Sequence, residues 1–360
     1  MLTPKNTIDL AGAFGSVWIA RHLGGRGGRI PLVNFIITRE CNSGCKTCDS
    51  WKTARSGADE LTTEEILDLR PAMRRMKTRL VSISGGEPTL RGDLETVIAG
   101  FKDGGFAVHL NTNAFNLDGA RVDSLAASGL NVVYVSCDSV EPECYKAIRG
   151  VDGLAGVIEA VRRFRSGPRP IPVGINVTVS RMNENELERI AARFVEMGVQ
   201  KIQFVPIHRR HTMPELALSD EVMSELAPSN IGALKNNLKR LARRLRRSFI
   251  ATNSDFFINH FEYAYKPARA APCFAGYLFV DIMPSGEVNP CHIYRTGLNV
   301  REAPLDEIIG SEEFAGQRRE VTRCDAPCMM TGCLETSLRC RLSYLLFHPM
   351  EIYRQANMHL

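Results

Sequence analysis

The sequence predicts an α/β fold, a partial (β/α)6 barrel followed by a small C-terminal α+β domain. Two observations carry that expectation. Six apolar, strand-like runs alternate with amphipathic helical patterns, and after a basic helix the pattern changes to a hairpin and a cysteine-rich stretch. Repeated βα units imply a parallel sheet with right-handed crossovers, which six units curl toward a barrel.

The strand-like runs are Val33–Thr38, Leu80–Ser84, Ala107–Thr112, Asn131–Asp138, Val173–Ser180 and Lys201–Ile207. Helical patterns near Thr63–Met76, Asp93–Phe101, Gly119–Ala127, Leu154–Phe164 and Glu184–Met197 separate them. Ligand sites of such sheets lie at the carboxyl ends of the strands. Next, Leu234, Leu238, Leu241 and Leu245 recur at helical spacing beneath a basic face of Lys235, Lys239, Arg240, Arg243, Arg244, Arg246 and Arg247. Beyond it, Tyr277–Met283, the turn Pro284-Ser285-Gly286-Glu287 and Val288–His292 read as a β-hairpin. A helix near Leu305–Arg319, the cysteine-rich stretch and a final helix ending at Leu360 follow. The domain boundary falls between Arg247 and Pro272. This gives an N-terminal segment over 1–30, a barrel over 31–250, a second domain over 270–340 and a terminal helix over 341–360.

A chain of 360 residues, 44% hydrophobic, has ample core for one large domain and a smaller one. Its net charge of +5 is concentrated on the basic helix, where no aromatic residues interleave, so a nucleic-acid surface is not indicated. Ile8–Leu23 carries Leu10, Phe14, Val17 and Trp18 in an amphipathic pattern broken by Asp9, Arg21 and His22. It is too short to span a bilayer, and packing on the barrel is favoured over resting on a membrane surface. Eleven cysteines clustered at two places, with no secretory signal, read as metal ligands in a reducing, cytoplasmic setting.

The first group is Cys41, Cys45 and Cys48, spaced C-x3-C-x2-C just after the first strand-like run. Three thiolates are one short of what a cubane iron–sulfur cluster takes, so one iron stays open to a non-protein ligand. Cys45 and Cys48 alone have zinc-type spacing, but a zinc knuckle wants a fourth ligand close by. Downstream, the second strand-like run leads into Gly85-Gly86-Glu87-Pro88, where two residues without a Cβ permit close backbone approach. Together these motifs resemble the radical SAM superfamily, and the resemblance covers about Pro31 to Ile207.

The resemblance implies that Cys41, Cys45 and Cys48 hold a [4Fe–4S] cluster whose open iron chelates S-adenosylmethionine (SAM). It implies that Gly85, Gly86, Glu87 and Pro88 hold the amino end of SAM, with Asn111 and Asn113 near its carboxylate and ribose. Ser136 and Asp138 alternate on the fourth strand and should share an inward face, as should Asn176 on the fifth. Asp138 is a catalytic candidate on that ground. The residue before the third cysteine, commonly aromatic in the family, is Thr47 here, so Trp51 or another residue would pack on adenine. Cys137 and Cys144 read first as buried small hydrophobes; either thiol could alternatively donate a hydrogen atom in an epimerisation.

The second group spans the hairpin as Cys273-x12-Gly286-x4-Cys291 and continues at Cys324, Cys328, Cys333 and Cys340. This resembles the SPASM domain and its shortened form, twitch, which implies a small iron–sulfur domain. The full pattern uses seven cysteines for two clusters; six are present, with C-x3-C-x4-C-x6-C spacing in the later part. One auxiliary [4Fe–4S] cluster is expected, bound by Cys273, Cys291 and two of Cys324, Cys328 and Cys333, with zinc as the alternative. The family's chemistry implies reductive cleavage of SAM to a 5′-deoxyadenosyl radical that takes hydrogen from substrate, with electrons from a donor such as flavodoxin or ferredoxin. An auxiliary cluster as electron acceptor favours net oxidation of an alcohol-bearing small-molecule substrate, such as a sugar or aminocyclitol. Peptide or protein maturation, radical modification of a lipid, and a non-catalytic zinc-stabilised binding protein are the alternatives.

Overall fold

Six parallel strands form in chain order: β1 (Leu32–Ile36), β2 (Leu80–Ser84), β3 (Ala107–Thr112), β4 (Val132–Ser136), β5 (Val173–Val179) and β6 (Lys201–Pro206). The hairpin supplies β7 (Phe279–Ile282) and β8 (Val288–Asn289). In this computed structural model β7 pairs in parallel with β1, so the sheet runs β6-β5-β4-β3-β2-β1-β7-β8 and only β7–β8 is antiparallel. The structure describes residues 15–22, 28–53, 59–208, 217–266, 271–326 and 328–339, except for the side chains of Cys333 and Arg339. The hairpin, expected beyond a domain boundary, therefore extends the barrel's own sheet.

Alternation along the strands sorts the side chains into two environments. Val33, Phe35, Val81, Ile83, Val108, Leu110, Val133, Val135, Ile175 and Val177 are buried against the helices in one core cluster. The residues between them face the concave side and are largely polar: Asn34, Ser82, Ser84, His109, Asn111, Tyr134, Ser136 and Asn176 all border one lumen. A closed (β/α)8 barrel fills that space with branched aliphatic residues. Here the interior is kept open and the strands turn polar side chains into it.

Most helices follow the hydrophobic periodicity, with instructive exceptions. The pattern over Thr63–Met76 forms two helices, Thr63–Asp68 and Arg70–Arg75, because Pro71 lacks the N–H that a continuous helix needs. Thr62 starts the first with a capping box to Glu65. The helix expected near Leu305–Arg319 is likewise two, Leu305–Gly310 and Glu312–Arg323. Ser311 divides them, and its side chain accepts from Phe314 N as an N-cap. Helix Pro142–Arg149 carries no expectation from periodicity, and it proves central to the site. Within the N-terminal amphipathic segment, residues 15–22 are helical; 1–14 lie outside the described residues, as do 340–360, including the expected terminal helix. Among the described residues no helix is long and apolar enough to cross a membrane.

Helix Thr331–Arg339 spans the side of the lumen that the sheet leaves uncovered. Its Glu335 Oε1 accepts from Ser254 N at 2.8 Å, in the segment flanking β6. Its Ser337 Oγ accepts from Phe274 N at 3.1 Å, in the segment leading to β7. Leu334 and Leu338 bury in the main core, while Thr331, Gly332, Glu335 and Thr336 complete the lumen wall. Glu335→Ala would leave the buried Ser254 N–H without its acceptor. The expected destabilisation is about 1–3 kcal/mol, read by urea unfolding, whereas an unchanged midpoint would mean that this bond does not hold the helix in place.

Candidate active site

The cysteine loop is fixed by backbone contacts before any ligand is considered. Gly86 N donates to Thr38 O at 2.9 Å and Glu87 N to Glu40 O at 2.7 Å. A Cβ on Gly85, whose φ is +147°, would lie 2.6 Å from Thr38 O; one on Gly86 would lie 2.1 Å from Glu40 O. The paired glycines thus press on the cysteine loop's own main chain, where the sequence suggested approach to a ligand. From the other side, helix Pro142–Arg149 ends at Gly150 with φ +70°, and a Cβ there would meet Gly44 O at 2.6 Å. Lys46 N donates to Ile148 O, satisfying one of that helix's terminal carbonyls.

Glu87 is the polar hub beneath this contact. It is buried, and Oε1 accepts from Thr89 N, Thr89 Oγ1 and Thr112 Oγ1 while Oε2 accepts from Asn113 N at 2.7 Å. Burial raises its pKa and these donors oppose the shift. Asn113 Nδ2 reaches back to Asn42 Oδ1 and Ser43 Oγ in the cysteine loop, so one carboxylate ties together the ends of β2 and β3 and that loop. Pro88 does not border the lumen; it opens the short turn Pro88–Leu90 beneath it.

Cys41, Cys45 and Cys48 border the C-terminal mouth of a cavity of about 710 Å³ that runs along the concave face of the sheet. Burial pushes the Cys41 thiol up to about 11, with Cys45 and Cys48 adding to the shift. Burial also raises Cys45, while Arg149, whose Nη1 lies 3.9 Å from its Sγ, works in the opposite direction. A cluster that binds thiolate at each of three irons overcomes such thiol protonation on assembly. Arg149 is itself held by a 2.7 Å ion pair from Nε to Asp138; burial works against its charge, and Asp138 together with Cys45, Tyr145 and Cys137 more than offsets that.

That pairing corrects the reading of Asp138. The residue is fully buried, accepts from Thr178 N at 2.6 Å, and does not border the lumen, so it positions Arg149 beside Cys45 and has no path to a substrate. Cys137 and Cys144 do not border the lumen either, which removes both as hydrogen-atom donors. Cys137 Sγ is turned toward Ser139 O in the core, with its thiol pushed to about 12 by burial, and Cys144 Sγ points to Met182 O. The remaining expected residues do meet in the cavity: Gly85, Gly86, Glu87, Asn111, Asn113, Ser136 and Asn176 line it, and among the described residues Asn176 Oδ1 has no hydrogen-bond partner. Trp51 lines the same mouth and donates from Nε1 to Cys45 O at 3.2 Å.

Several lumen residues escaped sequence reasoning. His109 precedes Asn111 by two positions on β3, and Lys201 and Gln203 alternate on β6; the strand period that marked Ser136 and Asn176 extends to them. Lys201 Nζ lies 3.4 Å from Tyr134 OH, and its ammonium stands 5.3 Å from that ring's centre. Asp281, a charge inside an apolar run, faces the lumen from β7 and is pushed up to about 6 by burial, with the amide of Asn34 opposing the shift.

Behind that wall the second cysteine group gathers. Cys273 raises the pKa of both Cys291 and Cys328, and Cys324 adds to the effect on Cys328, so four of the expected ligands are electrostatic neighbours. The Cys333 side chain and Cys340 lie outside the described residues. The helical residues 15–22 pack here: Val17 buries with Phe274, Phe279 and Cys291, and Arg21 Nε donates to Cys273 O at 2.8 Å.

Residues 35–205 match the family model described as the Radical SAM superfamily. Over 234 residues the chain is 30% identical to a protein named probable GTP 3',8-cyclase from Thermococcus kodakarensis, covering 63% of this chain and 72% of that protein. The chain belongs to the radical SAM superfamily. It is also similar to an AdoMet-dependent heme synthase of Methanosarcina barkeri, at 27% identity over 90% of this chain and 96% of that protein. Among solved structures, Streptococcus suis SuiB bound to precursor peptide SuiA shares the fold with a TM-score of 0.66 at 15% identity, covering 89% of this chain and 72% of that one. This radical SAM fold thus extends through the SPASM/twitch-type unit, and the superfamily uses a [4Fe–4S] cluster and SAM, which the three-thiol loop suits.

Two expectations follow for this radical SAM chain. Gly86→Ala forces a Cβ onto the Glu40 carbonyl, and the expected loss of about 1–3 kcal/mol should appear in denaturant melts together with reduced iron uptake. Asp281 has a folded-state pKa of about 6 against an ordinary 3.8. The folded chain therefore keeps a proton that the unfolded chain releases, so stability from this group falls as pH rises through that window and stays lost above it. Asp281→Asn should consequently be more stable than wild type at pH 7, by about 3 kcal/mol, and nearly equal to it below pH 4, by urea unfolding at both pH values.

Proposed function

We propose that this chain is a radical SAM oxidoreductase that binds an alcohol-bearing small molecule, such as a sugar or aminocyclitol, within the lumen and dehydrogenates it. The polar concave face carries this reading. Asn34, Ser82, His109, Tyr134, Gln203 and Asp281 present hydrogen-bonding groups along the cavity below the cysteine loop, an arrangement suited to a hydroxyl-rich ligand. Cys41, Cys45 and Cys48 would hold the SAM-binding cluster, and Gly85, Gly86, Asn111, Asn113, Ser136 and Asn176 would line the SAM site. Cys273, Cys291, Cys324 and Cys328 would hold one auxiliary [4Fe–4S] cluster.

When bound, SAM and its cluster supply a 5′-deoxyadenosyl radical, fed by a donor such as flavodoxin or ferredoxin. The protein's own work is positional. Glu87 and the glycine contacts fix the mouth, Arg149 places a positive charge beside Cys45, and helix Thr331–Arg339 closes part of the lumen wall. A second reading, a heme-forming reaction, is favoured by the similarity to the heme synthase across both cysteine groups.

The test is anaerobic reconstitution with iron and sulfide, iron counting and SAM cleavage under dithionite. About eight irons per chain are expected, with about four lost in Cys41→Ala/Cys45→Ala/Cys48→Ala together with all deoxyadenosine formation. Ketone formed from a polyol supports dehydrogenation, whereas heme absorbance appearing with a porphyrin precursor supports the second reading. Zinc in place of iron, or iron without SAM cleavage, would sink the enzyme reading.

A further inference from the structure

Asp281 is the carboxylate that the strands themselves present to the lumen, and neither the SAM site nor the cysteine groups employ it. It lies on β7 level with Asn34 of β1, borders the cavity, and is 4% exposed. Asn34 Nδ2 donates to Oδ1 at 2.8 Å, and among the described residues Asp281 forms no ion pair with Lys or Arg. Of the other buried carboxylates around the lumen, Glu87 is saturated by donors, Asp138 is paired with Arg149, and Glu335 accepts from Ser254 N. Asp281 also raises the pKa of Cys291, which places it on the wall nearest the second cysteine group. With a pKa near 6 it is ionised at neutral pH yet basic enough to hold a proton.

We propose that Asp281 is the general base of the lumen: Oδ2 accepts a hydrogen bond from the substrate hydroxyl and takes its proton as the adjoining carbon is oxidised. This rests on the dehydrogenase reading above. The carbon-bound hydrogen leaves as an atom to the deoxyadenosyl radical. The hydroxyl proton goes to Asp281, the remaining electron goes to an oxidised iron–sulfur centre, and the C–O bond becomes C=O. Two hydrogens and two electrons leave the alcohol in all.

Wild type and Asp281→Asn, reconstituted with both clusters, would each be offered ring-deuterated myo-inositol, deuterated glucose and a deuterated inosamine. The readout is ketone formed per deuterium carried into 5′-deoxyadenosine. In Asp281→Asn this ratio should fall at least about 100-fold, the low end of general-base effects, and formate should restore part of it in Asp281→Ala. Calorimetry on cluster-free protein should show the polyol accepted by wild type binding roughly tenfold more weakly to Asp281→Asn, as expected for one charge-assisted hydrogen bond. An unchanged ketone-to-deuterium ratio in Asp281→Asn overturns the base while leaving the dehydrogenase standing. No deuterium transfer from any of the three polyols by wild type overturns the dehydrogenase reading and the base with it.

Discussion

The structure depends on three stretches of main chain meeting at the C-terminal mouth of the sheet. The cysteine loop lies between the Gly85-Gly86 turn and the Gly150 end of helix Pro142–Arg149, at distances that leave no room for a Cβ. Backbone packed on backbone has no rotamers to relax, so the loop's path is set by the positions of β2 and of that helix. A loop carrying three thiols next to a SAM-chelating iron needs such fixity, because displacements well below an ångström separate productive from unproductive geometry. Glu87 extends the constraint inward by fastening the ends of β2 and β3 with a single buried carboxylate.

The second organising feature is the division of labour between the two faces of the strands. The convex face is apolar and supplies the core, so stability is obtained without using the concave face. The concave face is then free to carry amides, hydroxyls, imidazoles and the charged groups of Lys201 and Asp281 around an open lumen. Helix Thr331–Arg339, anchored at Ser254 on one side and Phe274 on the other, adds its own residues to the lumen wall. Since this helix follows Cys324 and Cys328 directly, the second cysteine group stands at the root of the lumen wall and is structurally continuous with it.

Much of this was legible in the sequence because the signals were local. Strand periodicity placed all six barrel strands to within two residues at each end, and the cysteine spacings and Gly85-Gly86-Glu87-Pro88 marked the mouth. What stayed illegible was relational. That β7 would pair with β1 depends on the edge β1 leaves free, which no run of residues announces. Ser136 and Asp138 alternate, yet β4 ends at Ser136, so the inward face does not continue to Asp138 and the chain turns that carboxylate toward Arg149. The helical patterns ran through Pro71 and Ser311, where local chemistry overrides the longer hydrophobic period and divides each helix in two.

Three of the buried carboxylates near the lumen show how environment assigns work to identical chemistry. Glu87 receives four hydrogen bonds, Asp138 a guanidinium and a backbone amide, and Asp281 the single amide of Asn34. A carboxylate that is fully hydrogen-bonded or ion-paired has its lone pairs committed and acts as a fastener. One left with a single neutral donor retains both basicity and a free oxygen, and it carries the desolvation penalty of that state. A fold that stabilised only itself would give Asp281 a cation or replace it by Asn. Keeping it ionisable on the cavity wall with no cation paired to it among the described residues is a stability deficit, of the kind folds sustain where a site must exchange protons with a ligand.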